Sequence, residues 1–390
     1  MNSFTQTTQR RLRARVRFDW ADIRSDWPCL ADLGQSVDGY AFQTREWIDA
    51  WSSTLGQDSR RKPVFVTLGD EGGERIFMPF AVRRWLGLRV LEGLGDGTVD
   101  YHAPLVARGT AFGPAEVKEL WAALAGIAES PDVVHLAKLA TSLADGPNPL
   151  LTRNARPYPM SGHVARLDGG WADWFDRRFG RETQKTLARK RRKLEELGPV
   201  ETRYARDNGE ALGWLEALIA DKAAQMEGRQ SDNGLAAPQM ADFYRVMTRH
   251  DSQSAHVKVY ALTVDGSPVA LQWGIVAGGR FTNLLTSYKS GEWTRFSPGL
   301  LMFRHLFEDC FAKGLRAFDF GLGDESYKLR FCDGPPVALC SVVRARSIGG
   351  LGYAATQSAR YRLRNNSSAR RLRQTLRVLT QRNEAAPALS

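Results

Sequence analysis

Two stretches in the last third of the 390-residue chain carry side chains in an order suited to group transfer. The first is Tyr288–Phe303, YKSGEWTRFSPGLLMF, where a strand gives way to small residues and then to a helix opened by proline. A helix N-terminus presents unpaired N–H groups and the positive end of the helix dipole, a seat for phosphate or an oxyanion. Ser297 fits the N-cap and Pro298 the first helical position, Gly299 permits close approach by a ligand, and Arg295 adds a cation beside them. The same pattern also describes an ordinary capped helix. The second stretch is Phe318–Lys328, FDFGLGDESYK, an apolar strand ending in a glycine-loosened loop. Asp319, Asp324, Tyr327 and Lys328 are groups that can move protons or hold charge, and loops set by a sheet are where such groups act. Asp319 lies between two phenylalanines and needs a partner if buried, for which Lys328 and Arg330 are at hand; a structural ion pair uses the same residues.

A third stretch, Arg177–Lys193, carries nine basic residues against Glu182 and belongs to a helical segment over 177–197. Its cations go round the helix, so it is not simply amphipathic. Such a run forms a solvated face, or a wall that attracts an anionic substrate such as a nucleotide sugar, a lipid-linked phosphate, coenzyme A or RNA. Other chemistry finds no motif: GxSxG, HExxH and a P-loop are all missing. The six histidines and four scattered cysteines show no metal-ligand spacing, so no metal and no disulfide framework are expected.

The elements that must position these groups follow from periodicity. Residues 42–55 have helical spacing; strands are expected over 63–68 and 75–83 and from Val90 into the glycine-rich Gly93–Gly97, then Asp100-Tyr101, a helix over 115–128 and a strand over 133–139. The second half repeats that order: helices over 171–179 and 184–197, a strand over 200–205, and helices over 211–226 and 238–248. Three strands over 256–288 follow, joined by Asp265-Gly266 and Gly278-Gly279 turns. A helix over 298–311, a short strand over 317–320 and a strand over 337–346 that closes the second sheet complete the fold. The expectation is an α+β chain of two tandem units, with mixed, mostly antiparallel sheets flanked by helices. Its parts are a basic arm over 1–17, units over 18–165 and 166–347, and a basic tail over 348–390.

Net charge is +11, yet it sits at the ends. Residues 1–17 hold five arginines and no acid, and residues 358–390 hold eight arginines against Glu384, which leaves the body at −1. That distribution argues against a nucleic-acid-binding fold, while the arginine tail suits an anionic membrane surface. No segment approaches the roughly 18 continuous apolar residues of a membrane span, and no apolar stretch follows Arg17, so a cytoplasmic location is expected.

Taken in order, FQTREWIDAW, LGDGTVDYHAPLV, the basic helix and SPGLLMFRHLFE…GLRAFDFGLGDESYKLRF resemble the CelD-type GNAT acetyltransferases associated with cellulose and exopolysaccharide synthesis, over about residues 18–347. The tandem layout is similar to that of the FemAB-type aminoacyl-tRNA-dependent transferases. The resemblance implies acyl transfer from acetyl-coenzyme A or another acyl-coenzyme A to an amine or hydroxyl of an anionic or saccharide-type acceptor. It places the donor at Tyr288, Arg295, Ser297 and Gly299, where Pro298 and Leu300 depart from the family's glycine-rich phosphate signature. It places the acceptor near Asp100, Tyr101, Arg181, Lys185 and Arg189, with proton transfer at Asp319, Asp324 or Tyr327 and Lys328 holding a phosphate or Asp319. Two alternatives stand beside it, an aminoacyl-tRNA-dependent enzyme that contacts RNA and a non-catalytic partner of a polysaccharide synthase.

Overall fold

The computed structural model describes residues 12–365 apart from 96, 111–112, 128–129, 144–145, 227–236 and 251–255. Most of the expected basic tail, the first eleven residues of the arm, and Asp96 therefore lie outside the described residues. Among the described residues two main sheets carry the fold, one of nine strands and one of six. In the first, Arg61–Asp70 and Gly73–Trp85 form a long antiparallel hairpin, and Leu88–Gly93 pairs with the outer end of the second strand. Their runs of valine, isoleucine and phenylalanine bury the middle of each strand, as β-branched and aromatic residues do on a packed sheet. Leu88–Gly93 then runs parallel to Val133–Ala140, and the helix Pro114–Ala125 lies between them in the chain. The second sheet repeats this plan. Val257–Val264, Ser267–Ala277 and Arg280–Tyr288 form the expected meander, Pro298–Ala312 is the crossover helix, and Ala317–Leu322 is the parallel strand that follows.

The two halves exchange strands. Leu339–Ala345, expected to close the second sheet, instead pairs antiparallel with Val133–Ala140 in the first. Gly162–Arg166, assigned by sequence to the first unit, pairs with Ala317–Leu322 in the second. Part of the basic arm is also a strand, since Arg13–Arg17 pairs with Arg61–Asp70 at the sheet edge. Arginines on an edge keep it from pairing with another chain. A boundary at residue 165 therefore does not divide the two sheets. One core also spans them, with Trp47, Tyr101, Phe243 and Trp273 all fully buried in it. Ile348–Asn365, the start of the expected tail, is a helix that packs on Leu339–Ala345 and Val133–Ala140.

In each sheet the paired parallel strands soon part, and in the first the chain fills the gap itself. Parallel pairing there ends at Leu91↔Val134. Beyond it His102 N donates to the Lys138 carbonyl and Ala140 N to the His102 carbonyl, so residues 99–104 lie wedged against Val133–Ala140. The His102 ring sits so close to Gly93 that a Cβ there would lie 2.4 Å from it. Glycine at 93 is what admits the plug. Gly93→Ala should lower stability by about 1–3 kcal/mol through overpacking. Gly213→Ala, which meets open space on a helix, should raise it by up to about 1 kcal/mol. Urea unfolding of the two variants checks both signs.

Candidate active site

The gap of the second sheet is lined by residues that the plug of the first helps to place. Arg280–Tyr288 and Ala317–Leu322 pair over Arg280↔Ala317, Phe281↔Phe318 and Thr282↔Asp319, and no further. The first of these strands continues to Tyr288 along its other neighbour, so the parallel pair opens into a wedge. The register there passes from Gly274↔Asn283 to Trp273↔Leu285, leaving Leu284 as the extra residue of a bulge. A bulge takes a residue out of the ladder and turns its backbone groups elsewhere. It stands just past the point where the wedge opens.

The plug reaches this wedge with Asp100 and Tyr101. Tyr101 Oη donates to Asp319 Oδ1 at 2.9 Å, Arg280 Nη1 to Asp319 Oδ2 at 2.7 Å, and Gly321 N to Oδ1 at 2.9 Å. With three donors and no exposed surface, Asp319, a proton acceptor by the sequence reading, is held as a buried, fully bonded anion. Its cationic partner is Arg280, not Lys328 or Arg330. Sequence reasoning missed Arg280 because it opens a strand after a Gly-Gly turn and reads as a surface hairpin residue. Asp100 is placed differently. Its Oδ2 accepts from Leu322 N at 3.0 Å and lies against Gly321, where a Cβ would be 2.2 Å from it and 3.6 Å from the Asn283 carbonyl oxygen. Burial pushes its carboxyl up to about 6; the Leu322 N–H opposes the rise and the Asp319 charge adds to it.

The loop after Ala317–Leu322 divides its polar groups. Asp324 faces the strand beside it, accepting from Ser161 N at 3.3 Å and pairing with His163 Nε2 at 3.1 Å. Lys328 is buried and donates to the carbonyls of Leu322 and Gly323 at 3.0 and 3.1 Å while pairing with Glu325 at 2.9 Å. It clasps the loop, and neither Asp319 nor an open phosphate seat is within its hydrogen bonds. Tyr327 stays half-exposed beside Phe303 and Phe320, its phenol held protonated by burial and by the neighbouring Glu325 and Tyr288. Opposite, the helix Asn208–Met226 offers groups that carried no sequence signal, being spaced like any helix surface. Ser287 Oγ donates to Asp221 at 3.1 Å, Gln225 donates to the Tyr288 carbonyl at 2.9 Å, and burial pushes the Lys222 amine down while Glu325 opposes that.

At the mouth of the wedge, the helix Pro298–Ala312 begins where sequence placed it. Ser297 occupies the cap position in the left-handed region, φ 53°, and makes no capping bond. Its hydroxyl instead accepts from Lys190 Nζ at 2.6 Å, so the basic helix Arg181–Glu195 supplies one cation to this corner. Gly299 lies against the Tyr288 ring, a Cβ there falling 3.3 Å from it. Arg295 lies over the Phe296 ring at 4.7 Å. Arg181, Lys185 and Arg189 are exposed and are not brought to the other site residues by any described bond; the basic helix anchors through Leu187 and Leu194. Among the described residues no cluster of three or more His, Cys, Asp or Glu could hold a metal ion, and no helix is long and apolar enough to cross a membrane.

Residues 181–329, from the start of the basic helix to the loop after Tyr327, match the family model of the acetyltransferase (GNAT) domain. The α+β fold, with mixed sheets flanked by helices, is that of the GNAT proteins. A conserved protein of unknown function from Bacteroides thetaiotaomicron superposes with a TM-score of 0.52 at 10% identity, over 85% of this chain and 99% of its own. The C-terminal domain of a putative lysylphosphatidylglycerol synthetase from Agrobacterium fabrum gives 0.47 at 13%, over 80% and 95%. A tandem GNAT protein from the clavulanic acid biosynthesis pathway gives 0.44 at 12%, over 86% and 99%. No curated protein matches the chain.

Because Asp100 holds its proton more tightly when folded than when unfolded, it costs stability as pH rises. The cost is absent below its ordinary value of 3.8 and grows until the pH passes about 6. Asp100→Asn, which keeps an oxygen for Leu322 N, should therefore be more stable than the parent at pH 7.5 by up to about 3 kcal/mol. The difference should vanish below about pH 4. Urea unfolding at the two pH values measures it.

Proposed function

We propose that the chain transfers an acyl group from an acyl-coenzyme A, acetyl-coenzyme A foremost, to an amine or hydroxyl of an anionic or saccharide-type acceptor. The CelD-type resemblance points to polysaccharide synthesis as the setting. The observation that carries this reading is the wedge where the parallel strands of the second sheet part. It has a bulge at its apex, a carboxyl raised to about 6 beside that bulge, and a helix N-terminus with a glycine and a lysine at its mouth. The thioester, when bound, supplies the activated acyl group. Lys190, Ser297 and the N–H of Gly299 are disposed to hold its phosphates.

In this reading Asp100 takes the proton from the acceptor nucleophile. A group that titrates near 6 is ionised at neutral pH yet basic enough for the task. Backbone N–H groups turned out by the bulge at Leu284 stabilise the carbonyl oxygen as it gains charge. Tyr327, protonated throughout the working range, gives its phenolic proton to the departing sulfur and recovers one from solvent through its exposed edge. Asp319 serves by fixing Tyr101, and through it the backbone that carries Asp100. Asp324 and Lys328 shape the loop that presents Tyr327.

Thermal unfolding with acetyl-coenzyme A, coenzyme A and longer acyl thioesters tests the donor. A thioester at about 100 times its dissociation constant should add roughly 2.7 kcal/mol of stability, and Gly299→Trp should abolish the gain by filling the space against Tyr288. In turnover assays Tyr327→Phe should keep that gain while lowering kcat by roughly 100-fold. Absence of a shift with every thioester would sink the coenzyme A donor and direct the same assay to aminoacyl-tRNA, whose binding would fall steeply with salt.

A further inference from the structure

A cavity lies on the first sheet, lined by none of the wedge residues and unused by the reaction proposed above. Its volume is about 880 Å³, within the range of about 300–1,000 Å³ common for small-molecule sites. The helix Ile348–Asn365 forms its roof, and Val133–Ala140 and Leu339–Ala345 form its floor through His135 and Ser341. That roof is pinned at one end. Tyr353 Oη bonds His135 Nδ1 at 2.7 Å, its ring meets Trp85 at 5.2 Å, and Gly350 passes so close to the Asp132 carbonyl that no Cβ would fit. Beyond Tyr353 the helix stands off the sheet, with Gln357, Arg360 and Tyr361 above the space.

Charge is one-sided in this space. Arg156 and Arg360 both line it, no carboxylate does, and neither arginine has an ion-pair partner among the described residues. The Arg156 guanidinium lies 5.5 Å from the centre of the Tyr361 ring, which holds the cation at the wall. Two arginines without counterions among the described residues form a seat for a phosphate or a carboxylate, since guanidinium groups bind both in a planar, charge-assisted way. The remaining lining suits a hydroxylated body. Ser341 and Gln357 offer donors and acceptors, while Tyr158 and Tyr361 offer flat faces with polar edges. An adjoining space of about 230 Å³, which shares His135, Gln357 and Arg360, reaches His102 on the plug; the one carboxylate in its lining, Glu92, is paired with Arg83 at 2.9 Å.

We propose that this cavity binds an anionic sugar, one bearing a phosphate or a carboxylate, at a site distinct from the acyl-transfer wedge. Calorimetric titration of the full chain with glucose 1-phosphate, glucuronate, glucose and inorganic phosphate tests it. At least one of the two anionic sugars should bind, and which one tells phosphate from carboxylate recognition; glucose and inorganic phosphate should each bind at least about tenfold more weakly. The double variant Arg156→Gln/Arg360→Gln, at exposed positions, should weaken the anionic sugar by about 100-fold with an unchanged unfolding midpoint. Gly299→Trp should leave the sugar's affinity intact. The proposal is overturned if neither anionic sugar binds up to about 10 mM. Affinity that ignores the double variant, that is lost in Gly299→Trp, or that inorganic phosphate matches would overturn it equally.

Discussion

The arrangement of this molecule turns on one buried anion. Asp319 sits in the middle of a short strand with no exposed surface and accepts from Arg280 of the neighbouring strand and from Tyr101 of the other half of the chain. Removing a carboxylate from water costs several kcal/mol, offset only when its lone pairs are filled with good geometry. Here three donors fill them, and one comes from a segment more than two hundred residues away. Losing either partner would strand a buried charge, so the plug and the second sheet are held in one register. Asp100 gains its place at the wedge because its neighbour Tyr101 is pinned there.

Two sheets of the same plan thus diverge in use. Each has a parallel pair that parts after a few residues and a crossover helix leading to the second strand. In the first sheet Gly93 and the His102 segment close the gap, and that segment carries its two polar side chains across to the second. In the second sheet the strands part between the Leu284 bulge, Asp100 and the loop that bears Tyr327. The division of labour follows from packing. The first half gives up its own slot to furnish one wall of its neighbour's, which explains why the two sheets share a core and exchange strands.

Much of this was legible in the sequence because it is local. The hairpins came from the Asp265-Gly266 and Gly278-Gly279 turns, whose residues tolerate the left-handed region. The helix beginning at Pro298 came from its Ser-Pro start, although Ser297 proved to hold Lys190 in place of a capping bond. Local pattern failed where partners are distant. Nothing near Asp319 in the sequence names Arg280 or Tyr101 as its partners, so the carboxylate read as a base and Lys328 as its counter-ion. Asp100 read as an acceptor contact because its raised pKa arises from burial between sheets. The strand Leu339–Ala345 has the same apolar alternation whichever sheet it joins, and only the tertiary fold decides that.

The central claim is that one wedge is open and the other closed by the chain itself. Amide hydrogen exchange with and without acetyl-coenzyme A addresses it directly, since it reads both wedges in one experiment. The account predicts added protection confined to residues 283–288 and 297–301, with residues 88–104 and 133–140 unchanged. Protection that appears instead along residues 88–104 and 133–140 would show that the first sheet opens to the donor, and would contradict the plug.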